Sequence, residues 1–420
     1  MRVLWFSNSP AGAYSDTTTG TGSWMVALDK ILQERVELHV AYKFPYKQAL
    51  FIKGKTAYHP IYTGNIIIEN IKHRFIPRYH KDRVDAYLKI VEEVKPDIIH
   101  IHGSENDYHS IVGKTEIPVV LSVQGNPTVI AHKYKIGFLG KYIKTKTSRL
   151  SFSSMILGRS GFNTGLNDLE WMSGLEQVNL RSIKNIIGRT DWDRRITRVM
   201  APNSRYFVVN EALRGVFYNK VWQMDAPSDK LVIHTTSGNT YYKGFETLCQ
   251  ALNILNQQGI EVEWRVAGVS EGSAINIVTK KYLGKNYPNK GLVLMGRLDE
   301  NGLIQSLLTS HLYVMPSHIE NSPNNLCEAM LLGMPCVTTL AGGSDTILIN
   351  KKEGLVIQDG DPWSMAGAIL ELKNDWKTAV MYGVDARLHA LKRHNRETIV
   401  NNLMESYRTI IENNESHEKC

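Results

Sequence analysis

The sequence predicts an α/β protein made of two doubly wound parallel-sheet domains. Short apolar runs alternate with amphipathic stretches along most of the 420 residues. A polar stretch with a proline, Asp225-Ala226-Pro227-Ser228-Asp229, interrupts this pattern, which then starts again. The length carries a prior of two to three domains, each large enough to bury its own core. With 43% apolar and 21% charged residues the chain is no disordered polymer, and 32 Gly with 14 Pro exclude a collagen or a low-complexity linker.

The first half opens as strand, loop and helix. Residues 3–6 form an apolar run suited to a buried parallel strand. A Gly/Thr/Ser-rich loop follows over 17–23. Trp24, Ala27, Leu28, Ile31 and Leu32 then recur at helical spacing, with Ser23 or Thr21 as N-cap. Residues 36–42 read as the next strand. Val84, Tyr87, Leu88, Val91 and Val94 line one face of a helix over 82–95, which Pro96-Asp97 ends. Strands follow at 98–102 and 119–123. Residues 43–80 and 124–185 are less regular and read as insertions around a ligand crevice.

The second half repeats the scheme. Strands are predicted at 231–234, 262–266, 292–295, 312–315 and 336–339, with helices from about Gly244 and from Pro323. The last 50 or so residues read as helices, with Leu391, Ile399, Leu403 and Tyr407 among the apolar positions. Two such domains facing each other create a deep cleft, and ligands of open α/β sheets bind beyond the carboxyl ends of the strands.

Charge, cysteines and hydropathy bound the setting. The net charge of +8 is uneven: residues 1–225 hold 31 Lys+Arg against 20 Asp+Glu, the remainder 18 against 21. A basic first half keeps an anionic membrane, an anionic substrate and nucleic acid open as partners. The four cysteines (Cys249, Cys327, Cys336, Cys420) form no C-x-x-C pair and no disulfide framework. The apolar run at the start is shorter than a secretory signal, and no run approaches the ~18 residues of a membrane span. A cytoplasmic, reduced protein is expected.

The strongest motif runs from Pro316 to Met330: Pro316-Ser317-His318-Ile319-Glu320-Asn321-Ser322-Pro323-Asn324-Asn325-Leu326-Cys327-Glu328-Ala329-Met330. Ser322 suits an N-cap, Pro323 the first helical position and Gly333 the helix end. Glu320 then lies in the loop before the helix and Glu328 in its second turn. Free N–H groups near Asn324 and Asn325 suit a diphosphate, and the flanking carboxylates suit sugar and ribose hydroxyls. An ordinary turn with two solvated glutamates has the same spacing.

Glu320-x7-Glu328 with Ala329-Met330-x-x-Gly333-x-Pro335 resembles the signature of the family 4 retaining glycosyltransferases, of the GT-B fold, and the stretches Gly188-Arg189-Thr190-Asp191-Trp192-Asp193 and Asn210-Glu211-x-x-Arg214 resemble a bacterial branch of that family that builds surface polysaccharides. Asp359-Gly360-Asp361-Pro362, the terminal helices and the strand ending in His102-Gly103 are similar to that family too. The resemblance is specific over 231–365 and looser before it. It implies an acceptor-side domain over 1–225, a nucleotide-sugar domain over 226–395 and a helix over 396–420 packing back on the first. Glu320 would meet the transferred sugar and Glu328 the ribose. Asn321, Ser322, Asn324, Asn325 and Leu326 would meet sugar and diphosphate. Lys243, in Lys243-Gly244, would neutralise the leaving diphosphate, as a fixed cation should; a solvated helix-start lysine is the alternative.

The chain departs from the family's Gly-Arg ahead of that lysine. Here the stretch is Ser237-Gly238-Asn239-Thr240-Tyr241-Tyr242-Lys243. Asn239 offers a hydrogen bond but no charge, and Arg297, in Met295-Gly296-Arg297, is the candidate to compensate.

In the first half, Gly20 and Gly22 let the backbone approach a donor, although the loop lacks the third glycine of a dinucleotide fingerprint. NAD is therefore rejected. His102 ends a strand pointing into the cleft and is the third candidate catalytic residue. Gln124 stands where the family often has a second histidine, and it cannot take a proton. Glu105, Gln124 and Arg189 are candidate acceptor contacts; Arg189 with Asp191 or Glu211 equally suits a buried ion-pair network. Lys133, Lys135, Lys141, Lys144, Lys146 and Arg149 interleave with Tyr134, Ile136, Phe138, Leu139, Tyr142 and Ile143, and no acid lies between Thr128 and Gly165. This segment suits anionic lipid or is a solvated loop.

The reading that results is a retaining hexosyltransferase using a UDP- or GDP-sugar and a glycan or lipid-linked acceptor, with neither cofactor nor essential metal. Its place would be the cytoplasm, peripheral on the inner face of the membrane. No nucleic acid is expected as a partner, because no binding module accompanies the charge. The alternatives are another GT-B enzyme such as a sugar-nucleotide epimerase, and a non-catalytic sugar-nucleotide-binding protein at the membrane.

Overall fold

A computed structural model of the chain describes residues 1–14, 23–64, 81–136 and 162–418. These residues fold as two compact units. One comprises residues 1–14, 23–64, 81–131, 162–212 and 395–418, the other residues 132–136 and 213–394.

The first unit is built on eight strands: β1 (Arg2–Ser7), β2 (Glu37–Phe44), β3 (Phe51–Lys53), β4 (Thr56–Tyr62), β5 (Ile98–His102), β6 (Val119–Ser122), β7 (Asn185–Gly188) and β8 (Arg205–Val208). Their order is β3-β4-β2-β1-β5-β6-β7-β8, parallel throughout except for the antiparallel β3–β4 hairpin. The central strands are apolar on both faces because parallel crossovers leave a buried layer on each side. Val3, Leu4, Trp5 and Phe6 are accordingly fully buried. Val3 and Trp5 belong to one core cluster, Leu4 and Phe6 to the other. The helix Arg396–Glu418 supplies Ile399, Leu403 and Tyr407 to the first cluster. It is anchored where Tyr407 accepts from Trp5 Nε1 at 3.2 Å and meets His100 Nδ1 at 2.6 Å.

The second unit holds six parallel strands: β9 (Leu231–Thr236), β10 (Val262–Ala267), β11 (Leu292–Gly296), β12 (Leu312–Met315), β13 (Cys336–Thr339) and β14 (Leu355–Ile357), in the order β11-β10-β9-β12-β13-β14. Successive connections leave β9 on opposite sides, so the strand order reverses between β9 and β12. In the first unit it reverses between β1 and β5. The crevice outside such a reversal is where open α/β sheets bind ligands.

The strands expected from apolar runs are present, with ends shifted by a residue or two. The stretches 43–80 and 124–185, expected to be irregular, contain the β3–β4 hairpin and the helices Pro127–Ile136 and Phe162–Asn179. The hairpin is short and the helix Phe162–Asn179 has apolar and polar residues on all sides, so neither shows a clean period. A division at Asp225 assigns residues 213–225 to the first half. They pack in the second unit, where Leu213, Phe217 and Trp222 join its core and Trp222 N donates to Leu332 O at 2.7 Å. A polar stretch with a proline marks a surface connection, but the burial of the residues before it is settled by packing.

Candidate functional site

The reversal in the second sheet brings two loops together, one after β9 and one after β12. The first ends in a tight turn, Tyr241–Lys243, closed by Gly244 at φ 68°. A Cβ on Gly244 would stand 1.9 Å from Pro316 O, so only glycine lets the two loops approach this closely. His318 N donates to Tyr242 O at 2.8 Å and ties the loops side by side.

This apposition places Lys243 Nζ 2.6 Å from Glu320 Oε1, which also accepts from Ser317 Oγ at 2.7 Å. Burial works against the Lys243 ammonium, but Glu320 and Tyr242 outweigh it and raise its pKa. The lysine is thus a fixed cation, about a quarter exposed (23%), with two further N–H donors for a ligand.

The helix Asn324–Leu332 follows. Its cap is Pro323 rather than the expected Ser322, one residue later than the sequence suggested. Proline has no N–H, and its ring fixes φ near the −74° found, so the first turn is set without a side-chain cap. Leu326 N and Cys327 N donate back to Pro323 O. The Asn324 and Asn325 amides have no intrahelical acceptor and form the dipole's positive end. Asn325 Nδ2 donates to Thr236 O at 2.7 Å and fixes this end beside the carboxyl end of β9. Two buried acceptors of the same region, Asn324 Oδ1 and Thr240 Oγ1, have no hydrogen-bond partner. Leu326 is fully buried and offers only backbone, while Asn321 is buried and Ser322 half-buried in the loop.

Glu328, one and a half turns on, is held in a bidentate fork. Arg214 Nε donates to Oε1 at 2.7 Å and Nη2 to Oε2 at 2.6 Å. Both side chains are buried, at 4% and 8% exposure. Burial works against the Arg214 charge, yet the Glu328 pair raises its pKa above the usual value. Each carboxylate oxygen keeps one lone pair for another donor.

A second charged group stands behind the loops. His318 Nε2 lies 2.5 Å from Glu246 Oε1 and Nδ1 lies 3.7 Å from Asp359 Oδ2, which pairs with Lys133 at 2.8 Å. Burial works against the imidazolium, but Asp359 and Glu246 push its pKa up to about 9. Asp361, in the same Asp-Gly-Asp-Pro stretch, caps the helix Pro362–Asn374 by accepting from Trp363 N and Ser364 N. The sequence marks that stretch but not the role of His318 or Glu246, because nothing local marks a residue whose partners are 41 and 72 positions away. Lys133, read as part of a lipid-binding segment, is committed to Asp359; residues 137–149 of that segment lie outside the described residues.

The remaining donor candidates are spread out. Asn239 is exposed and its Oδ1 accepts from Ile275 N at 2.9 Å, capping the helix Ala274–Leu283 and leaving Nδ2 as its donor group. Arg297 is exposed beyond β11, two strands from β9. Gly20 and Gly22 lie outside the described residues.

The first unit's candidates sit at its own strand reversal. His102 ends β5, but it is not displayed to solvent. It is 1% exposed, its ring centroid 4.6 Å from Trp5 and 5.7 Å from Trp24, and neither ring nitrogen has a hydrogen-bond partner. Burial, with His100 and Arg189 nearby, holds it well below the usual pKa and therefore neutral. Glu105, three residues on, accepts from Asn8 Nδ2 at 3.1 Å. Burial, with help from Glu176, pushes its pKa up to about 7. Nothing local in the sequence marks Glu176. It is fully enclosed and accepts from Ser104 Oγ and Thr128 N at 2.5 and 2.8 Å. Gln124 is half-buried beyond β6. Arg189 is buried 3.7 Å from Glu211 and stacks over Trp24 at 4.5 Å.

The two doubly wound units, each with polar groups at its strand reversal, define the GT-B class of fold. Solved structures agree. A sucrose-phosphate synthase from Thermosynechococcus elongatus superposes with TM-score 0.73 at 14% identity, covering 97% of this chain and 98% of that one. Anabaena HepE in complex with UDP and glucose gives 0.64 at 14% identity, covering 97% and 99%. Residues 229–375, which contain Lys243, Glu320 and Glu328, match the family Glycosyl transferases group 1. The capsular polysaccharide biosynthesis glycosyltransferase CapM of Staphylococcus aureus is 26% identical over 189 residues, 45% of this chain and 48% of that protein. The chain thus spans about half the length of this curated relative, and less of others such as an Escherichia coli UDP-Gal:α-D-GlcNAc-diphosphoundecaprenol α-1,3-galactosyltransferase, 27% identical over 26% of this chain and 27% of its own length.

Proposed function

We propose that the protein is a retaining family 4 glycosyltransferase of surface-polysaccharide synthesis. It moves a hexosyl group from a nucleotide-diphosphate sugar to a hydroxyl of a glycan or lipid-linked acceptor at the inner face of the membrane. The carrying observation is the Lys243–Glu320 pair at 2.6 Å beside an open helix N-terminus at the second sheet's reversal. The relatives' activities support the class, and HepE, which binds UDP-glucose, supports a nucleotide sugar as donor.

In this reading the diphosphate lies against the Asn324 and Asn325 amides and Lys243, with Asn239 Nδ2 as a neutral contact. Negative charge grows on the leaving diphosphate in the transition state, so a cation and amides fixed beforehand lower the barrier. Glu320 contacts the transferred sugar, and Glu328 uses its remaining lone pairs on the ribose hydroxyls. The departing phosphate oxygen takes the acceptor proton on the same face, which retains configuration. Lys243 and the helix dipole supply the positive charge without a divalent ion. On the acceptor side, His102, Glu105, Gln124 and Arg189 remain the candidates. Glu105, half-ionised near neutral pH, suits a hydroxyl that must be both accepted from and donated to.

Incubation with a panel of UDP- and GDP-sugars tests the reading. One donor should show slow hydrolysis or transfer, and Glu320→Gln should reduce turnover far more than donor affinity. Donor binding with no turnover on any acceptor, or unchanged turnover in Glu320→Gln, would overturn it.

A further inference from the structure

Lys243 sits on a turn that its own hydrogen bonds hold weakly. Tyr241–Lys243 is a single tight turn closed by two long bonds, Lys243 N to Thr240 O at 3.2 Å and Gly244 N to Tyr241 O at 3.4 Å. Thr240 precedes it without making a side-chain cap. The lysine itself is a compact charge on a flexible four-carbon stem. The Glu320 loop is fixed more firmly. Gly343 N donates to Glu320 O at 2.9 Å and Thr339 Oγ1 donates to Ser317 O, which pins the loop to β13 and the segment after it. Keeping Lys243 at 2.6 Å from Glu320 therefore needs the turn to be held against the loop.

His318 supplies two links between them. Its N–H donates to Tyr242 O at 2.8 Å on one side of Lys243, and its Nε2 lies 2.5 Å from Glu246 Oε1 on the other. Glu246 stands in the first turn of the helix Phe245–Gln257, three residues after the lysine, and is 6% exposed. One residue of the Glu320 loop thus holds the chain on both sides of Lys243. Glu246 Oε2 is buried with no hydrogen-bond partner, so the hydrogen bonding of this carboxylate rests on the imidazole. Nδ1 turns the other way, toward Asp359 at 3.7 Å. Both ring nitrogens are directed at carboxylates of other segments, so the imidazole reaches the Lys243–Glu320 pair through the backbone.

We propose that His318 is a positioning residue of the transfer reaction: by bracing Tyr242 and Glu246 it holds Lys243 against Glu320 before the donor binds. The proposal rests on the reading of that pair as the groups that meet diphosphate and sugar. A cation fixed in advance lowers the barrier more than one that must be brought into place during the reaction. A loosened turn still lets the long lysine find a bound diphosphate, so the loss falls on turnover more than on affinity. The brace runs through Nε2, which gives it a signature. Glutamine offers an amide N–H near the place of Nε2–H, asparagine one near the place of Nδ1–H, and both are uncharged.

Competitive acetylation of the full-length protein with acetic anhydride, read by mass spectrometry, reports how firmly Lys243 is held without any substrate. Lys230, paired with Glu263 at 2.6 Å just before the amino end of β9, is the reference, so a general loosening of the second unit cancels in the ratio. The Lys243-to-Lys230 ratio should rise about fivefold or more in His318→Ala, His318→Asn and Glu246→Ala, and stay within about twofold of wild type in His318→Gln. The double variant His318→Ala/Glu246→Ala should rise no further than either single one, because both remove the same link. With whichever UDP- or GDP-sugar is turned over, His318→Ala should lower kcat about tenfold or more with KM moved less than about threefold, and His318→Gln should recover most of kcat. An unchanged ratio in His318→Ala overturns the proposal, as do Asn and Gln variants that behave alike, or a loss confined to KM. If no donor is turned over, the transferase reading fails by itself, and the acetylation ratios still decide whether His318 holds Lys243.

Discussion

The Arg214–Glu328 fork makes a quantitative prediction. Arg214→Met removes two donors at 2.7 and 2.6 Å from a carboxylate that is 4% exposed. Taking one partner from a buried ion pair leaves an uncompensated charge, at a cost of about 3–5 kcal/mol. For a unit of this size each kcal/mol shifts the midpoint by ~2–4 °C, so the second unit should melt roughly 6–20 °C below wild type. Replacing both partners leaves no buried charge, and Arg214→Met/Glu328→Met should recover most of the loss. Arg214→Lys should fall between, because an ammonium keeps the charge but cannot fill the fork. Scanning calorimetry and urea unfolding give the stabilities; titration calorimetry with UDP gives the nucleotide affinity. The double variant should be stable yet bind UDP weakly, since the carboxylate proposed for the ribose is gone. The reasoning is refuted if Arg214→Met costs less than about 1 kcal/mol, or if the double variant is no more stable than the single one.

Four further outcomes are expected. Lys243→Ala should weaken nucleotide-diphosphate binding by about tenfold or more, the scale of one lost charge-assisted contact; an unchanged dissociation constant in calorimetry would place the lysine elsewhere. His318 is raised from 6.5 to about 9 in the fold, so its charge contributes stability that is complete below pH 6.5 and lost as pH rises through 9. On the order of 3 kcal/mol should disappear across that window in urea titrations, and His318→Asn should flatten it. Glu105 is raised from 4.5 to about 7, so the stability of its protonated form is lost as pH rises from 4.5 through 7. Glu105→Gln should therefore unfold at higher urea than wild type at pH 8 and at a similar concentration at pH 4. Transfer activity should survive EDTA, measured as product formed with and without the chelator.

The paired motif could be read from the sequence because its chemistry is local. Glu320, Pro323, Glu328 and Gly333 announce a loop, a helix start and a helix end through their own backbone preferences. Gly333 does sit in the left-handed conformation, at φ 84°, that closes the helix. Lys243-Gly244 stands out through the family resemblance rather than through its own backbone preference, and the need for that glycine is visible only against Pro316. The Arg214 fork and the Glu246–His318–Asp359–Lys133 network were not legible as partnerships. Their members lie tens of residues apart in sequence, and no period or spacing rule links them. His102 shows the same limit from the other side. Its place at a strand end was plain, but its enclosure by Trp5 and Trp24, beside His100 of its own strand, depends on two other elements.

The sequence by itself determined two α/β series, most of their strands, and the loop–helix that carries Glu320 and Glu328. Apolar runs and turn residues act on their immediate neighbours, so they survive reading in one dimension. Only the tertiary structure decided that residues 213–225 belong with the second unit, that Lys243 meets Glu320, and that Arg214 is the partner of Glu328. Each of these is a matter of which distant side chains share a small volume. Strand order, and the two reversals it creates, sets that volume, and strand order is fixed by packing rather than by any residue's own preference.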